Sequence, residues 1–142
     1  MSKLGFLVAV SVVSLGAAVG AWYYKYQLYG WLPSTASSEL KNVDGLLMDK
    51  EGKPFTGRVK DISDSGYSLY AYKDGKLDGL NVVFSEGQLR EIGHWENGEQ
   101  NGLFEAWTDK GVLVDHGIFK DGERDGETVQ YWPDTGKLKV KA

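Results

Sequence analysis

The sequence predicts an all-β fold: an elongated single-layer antiparallel meander of β-hairpin repeats, preceded by one N-terminal transmembrane helix. Two observations carry that prediction. A short phrase recurs three times, KDGKLDG from Lys73, ENGEQNG from Glu96 and KDGERDG from Lys120, at intervals of 23 and 24 residues. A fixed period of this length marks a repeat array, in which each unit buries its apolar side chains against the next. Far upstream, residues 4–24 read LGFLVAVSVVSLGAAVGAWYY without one charged side chain, enough for a helix to cross roughly 30 Å of hydrocarbon.

Taken in order, residues 1–3 form a cytoplasmic N-terminus and residues 4–24 the membrane helix. Residues 25–44 follow as an aromatic interface segment and linker. Trp22, Tyr23, Tyr24, Tyr26 and Trp31 crowd the downstream end of the apolar run, where rings with an apolar body and a polar tip suit the membrane–water interface. This belt favours a retained anchor, since cleavage would strand the cluster at a new amino terminus. The alternative is a secretory signal peptide cut at the small residues Val19-Gly20-Ala21. Lys3 and the free amine outweigh Lys25 and the more distant Lys41 by a small margin, which puts the amino terminus in the cytoplasm of a bacterium and the repeats in the periplasm. Signal cleavage would instead leave a secreted or periplasmic protein. Residues 32–44, LPSTASSELKNVD, combine Pro33 with small and polar residues and read as a linker with one short helical turn near Ser37.

The repeat domain occupies residues 45–142, as a degenerate copy over 46–69 and three good copies over 70–93, 94–117 and 118–142. The glycine pairs Gly75 and Gly79, Gly98 and Gly102, and Gly122 and Gly126 keep one spacing. An aromatic residue precedes each pair by three positions (Tyr72, Trp95, Phe119), and another follows it by five (Phe84, Trp107, Tyr131). Asp-Gly and Asn-Gly tolerate the positive backbone dihedrals of a two-residue hairpin, so each phrase is a tight turn. Gly87, Gly111 and Gly136 mark a second, slightly longer turn in each copy, and Gly66 does so in the degenerate one, whose phrase is EGKPFTG. The intervening runs, among them LNVVF, LREIGHW and VLVDHGIF, have strand length and β-branched or aromatic composition. By period two, Leu80, Val82 and Phe84 share a face, Leu103 joins Trp107 and Val129 joins Tyr131, while Leu89 goes with Trp95 and Leu113 with Phe119. These rings, Tyr72, Phe84, Trp95, Trp107, Phe119 and Tyr131, are the candidate partner-binding residues on the sheet.

This unit, aromatic then Gly three on, a second Gly four later and an aromatic five beyond it, resembles the MORN (membrane occupation and recognition nexus) repeat, and most nearly its bacterial variant of the YwqK-family antitoxin type. The resemblance covers residues 46–142. It implies successive hairpins in one elongated sheet, a binding scaffold, and no catalytic residues to carry over.

Composition narrows the function. The absence of cysteine excludes disulfides, thiolate metal sites and a cysteine nucleophile. Past Leu32, 14 basic side chains face 20 acidic ones, an unfavourable balance for binding nucleic acid. His94 and His116 fall at different repeat positions, which reads as two strand-face histidines rather than a zinc or general-base site. DISDSG from Asp61 lacks the alternation and closing glutamate of a calcium loop and reads as a turn. No helix follows the glycine phrases, so they do not cradle phosphate. No cofactor is expected. The sequence therefore predicts a non-catalytic, single-pass membrane-anchored scaffold or structural subunit, touching lipid through its helix and a membrane protein complex or an extramembrane protein through its sheet. The alternative is an antitoxin or immunity protein that neutralises a partner toxin. Lipid recognition by the repeats is a third reading, opposed by the acidic charge.

Overall fold

The computed structural model describes residues 30–141, and the β unit within it begins at Pro33. The expected membrane helix over 4–24 and the interface residues Trp22, Tyr23, Tyr24 and Tyr26 lie outside the described residues. No helix among the described residues is long and apolar enough to cross a membrane.

Strand-forming runs separated by glycine turns give an all-β unit. A short strand, β1 (Thr35–Ala36), and a 3-10 turn at Ser37–Glu39 come first. The hairpin of β2 (Lys41–Val43) and β3 (Leu46–Met48) makes a small sheet of its own. The main sheet is built from β4 (Gly57–Ser63), β5 (Gly66–Lys73), β6 (Lys76–Leu77), β7 (Gly79–Ser85), β8 (Gln88–Glu96), β9 (Glu99–Trp107), β10 (Leu113–Lys120), β11 (Glu123–Arg124), β12 (Val129–Tyr131) and β13 (Leu138–Lys141). Its order is β1-β4-β5-β7-β8-β9-β10-β12-β13, with the short β6 and β11 extending the hairpins of β5 and β10. From β4 onward every pairing is antiparallel and sequential, the expected meander.

The recurring phrase has a structural cause in each copy. Asp74-Gly75, Asn97-Gly98 and Asp121-Gly122 all take positive φ, +50 and +80°, +51 and +91°, +51 and +80°, closing two-residue turns. The turn glycine then donates its N–H to the preceding copy: Gly75 to Phe55 O (2.8 Å), Gly98 to Leu77 O (2.8 Å) and Gly122 to Gln100 O (2.9 Å). Hairpin tips are thereby tied copy to copy, the nearest-neighbour interface on which a repeat array depends.

Two parts of the unit depart from the sequence-based expectation. The linker expected over residues 32–44 already contributes structure: Thr35 and Ala36 pair in parallel with Val59 and Lys60, covering part of the β4 edge. Asp44-Gly45, inside the small hairpin, adopts the same positive-φ turn (+51 and +83°) as the good copies. The repeat pattern does not mark this turn, because the second glycine of the phrase is missing there. The expected turn at Glu86-Gly87 is also tighter than predicted, with Ser85 directly opposite Gln88.

Register defines the two faces. Direct partners Leu69, Val82 and Ile92 lie in one row across β5, β7 and β8, and they are 1, 1 and 0 % exposed. The row continues through Glu105, His116 and Val129 on β9, β10 and β12. Phe84 and Leu89 join this Ile92 face and are buried. The opposite face, marked by Trp95, carries the row Asp61, Ser68, Val83, Glu91, Ala106, Asp115 and Gln130.

The candidate partner-binding face

The six candidate rings divide between the faces. Tyr72, Trp95 and Phe119 share the Trp95 face, since Trp95 sits opposite Gly79 and two residues from Gly93 and Glu91, and Tyr72 and Phe119 occupy the same repeat position. Phe84, Trp107 and Tyr131 lie on the Ile92 face, with Phe84 part of the core and stacked on Tyr67 at 5.1 Å. Leu89 and Leu113 are corrected accordingly. A bulge in β8 between the partners of Val83 and Phe84 puts Leu89 opposite Phe84, and a bulge in β10 puts Leu113 opposite Trp107, so both leave the face of Trp95 and Phe119. Of the expected interface residues only Trp31 is described, and it is 84 % exposed.

On the Trp95 face Tyr72, Trp95 and Phe119 are half-buried. Phe55 packs edge-on to Tyr72 at 6.5 Å, and Phe104 edge-on to Phe119 at 5.9 Å. A Cβ at Gly93 would lie 3.3 Å from Trp95 Nε1 and 3.6 Å from Phe104 Cδ2, so the indole occupies space that the absent side chain leaves. Burial, then Tyr70 and Asp61 nearby, raises the Tyr72 hydroxyl above its ordinary value near 10.

On β8 and β10 a carboxylate, Glu91 or Asp115, stands four residues before the ring. Asp115 is clasped by Arg124, with Nη1–Oδ1 3.1 Å and Nη2–Oδ2 2.7 Å, and also accepts a hydrogen bond from Gln130 Nε2 at 3.1 Å. The same guanidinium lies 4.9 Å from the Phe119 ring centre. Glu91, at the equivalent position one copy earlier, stays exposed at the surface, yet partial burial of its carboxyl pushes its pKa above the usual carboxylate value. The pattern acid, x, Gly, x, aromatic occurs in both EIGHW and DHGIF. It is present in the sequence but carries no turn signal, because its glycines sit inside strands rather than at the hairpin tips that set the period.

The Ile92 face holds the histidines. His116 Nδ1 meets Glu105 Oε1 at 2.8 Å, while Glu105 Oε2 is buried with no hydrogen-bond partner. His94 Nδ1–H donates to Leu103 O at 3.1 Å. Strand β9 separates the two residues. DISDSG is the end of β4, a two-residue turn and the start of β5, with Ser63 opposite Gly66. Among the described residues no group of three or more His, Cys, Asp or Glu side chains could hold a metal ion.

Compared with protein-family models, with curated proteins and with solved structures, the chain matches none of them.

Proposed function

We propose that the chain is a non-catalytic, membrane-anchored scaffold or structural subunit whose MORN-like β-repeats bind a protein partner. The observation that carries this reading is the Trp95 face, where one half-buried ring per copy recurs, Tyr72, Trp95 and Phe119, the last two with a carboxylate, Glu91 or Asp115, on the same strand. Rings two strands apart stand roughly 10 Å from one another. Partly apolar faces with flanking polar groups commonly mark protein interaction sites. The anchor of this reading is the uncharged stretch over residues 4–24, with the repeats in the periplasm of a bacterial inner membrane.

Crosslinking in native membranes followed by capture on a tag after Ala142 tests the proposal. A defined membrane or periplasmic protein is expected in the captured complex. A monomer that leaves mild detergent with no crosslinked protein would overturn it. A reporter fused after Ala142 reads the orientation.

A further inference from the structure

One side-chain cluster shows what fills the Trp95 face where the chain supplies its own occupant. On β10, Asp115, Gly117 and Phe119 stand at alternate positions, and Arg124, the direct partner of Phe119, folds back across them. Its guanidinium forms two hydrogen bonds to the carboxylate and stacks near the ring. Its Nη1 comes within 2.7 Å of where a Gly117 Cβ would lie, so a side chain at Gly117 would force the guanidinium to move.

On β8 the same three chemical types recur as Glu91, Gly93 and Trp95. The direct partner of Trp95 is Gln100, the counterpart of Arg124, with Nε2 3.9 Å from the Gly93 Cβ position. A neutral amide replaces the cation, and the Glu91 carboxylate makes no ion pair or hydrogen bond among the described residues. On β5 the counterparts are Ser68, Tyr70 and Tyr72, with Leu77 as partner, so neither the acid nor the glycine is present. Of these three strands β8 alone has the acid, the glycine and the ring without the arginine, and there the indole edge covers the glycine that the guanidinium covers on β10.

We propose that Glu91, Gly93 and Trp95 form a subsite for an arginine side chain presented by the protein partner. This rests on the scaffold reading above and names the chemistry of the contact. Arginine fits better than lysine because its planar fork can bond a carboxylate twice while its face stacks on a ring, and tryptophan is the strongest of the aromatic acceptors. The acidic surplus beyond Leu32, 20 acidic against 14 basic side chains, attracts a basic segment. Partial burial of the Glu91 carboxyl is consistent with a group that gains from a cation.

The test uses the full chain in neutral detergent and a blocked glycine-flanked peptide with one central arginine, read by the indole N–H resonance of Trp95. A saturable shift is expected, with the lysine peptide weaker by roughly tenfold, as for loss of one charge-assisted bond. Glu91→Gln should weaken the arginine peptide by about the same factor. Gln100→Arg should abolish the response, since the new arginine fills the subsite as Arg124 does one copy later. Arg124→Gln should open a second response at the Gly117 amide. No saturable shift, or a shift unaltered by Glu91→Gln or Gln100→Arg, overturns the proposal. Capture of a partner that Gln100→Arg leaves undiminished overturns the subsite and spares the scaffold. If no partner is captured while the peptide binds as expected, the scaffold reading fails and the subsite stands.

Discussion

Ile92 is the residue on which the core row depends most, because it is fully buried between Val82 on β7 and Glu105 on β9. Ile92→Ala removes three carbons, about 2.4 kcal/mol of transfer free energy at ~0.8 kcal/mol per buried CH₂, and the incompletely closed cavity raises the cost to about 3–4 kcal/mol. The unit from Pro33 to Ala142 has 110 residues, and at about 2.1 cal/mol/K per residue each kcal/mol shifts the melting temperature by about 4 °C. Circular dichroism melts should therefore fall by about 12–16 °C for Ile92→Ala and by about 4 °C for Ile92→Val. Ile118→Ala, on the same face two strands away but exposed, is the control and should shift by about 2 °C or less. Hydrogen exchange should accelerate first in β7, β8 and β9, since each strand leans chiefly on its neighbours. Equal losses for Ile92→Ala and Ile118→Ala would refute the row as a core.

Three further outcomes follow from local geometry. Gly98 has φ +91° and no heavy atom closer than 3.9 Å to a Cβ placed there, so Gly98→Ala should cost about 1–2 kcal/mol through backbone strain alone; a neutral melt would remove the positive-φ turn as the reason for the repeated phrase. Glu91 has a folded pKa raised above the ordinary 4.5, so its proton favours the folded state below that pH, and the advantage is lost as pH rises through the folded value. Urea midpoints of the wild type should consequently drop relative to Glu91→Gln between pH 4 and pH 7, and a constant difference would refute the burial. On the terminal strand β13, Leu138 and Val140 are exposed, and Lys137, Lys139 and Lys141 blunt an edge that would otherwise template pairing. Replacing Lys139 and Lys141 by Val should raise light scattering at fixed concentration, and unchanged scattering would sink that role.

What the sequence made legible was local. Asp74-Gly75 and its two copies demand positive φ within two residues, and no distant contact is needed to foresee the turn or the sequential pairing that it enforces. The parallel pairing of Thr35 with Val59 spans 24 positions and depends on an edge that exists only after β4 and β5 have met, so no period or propensity in residues 32–44 announces it. Bulges hid the rest. Counting by twos puts Leu89 with Trp95, six residues apart, but the extra residue in β8 inverts the parity between them and sends Leu89 into the core. The arginine cluster is hidden by the same arithmetic. Asp115, Gly117 and Phe119 align by simple alternation, whereas Arg124 reaches them across a turn, and its role becomes apparent only once its partner in the ladder is known to be Phe119. A repeat array then makes such a contact informative beyond its own copy, because the position that Arg124 fills in one repeat is held by Gln100 in the one before.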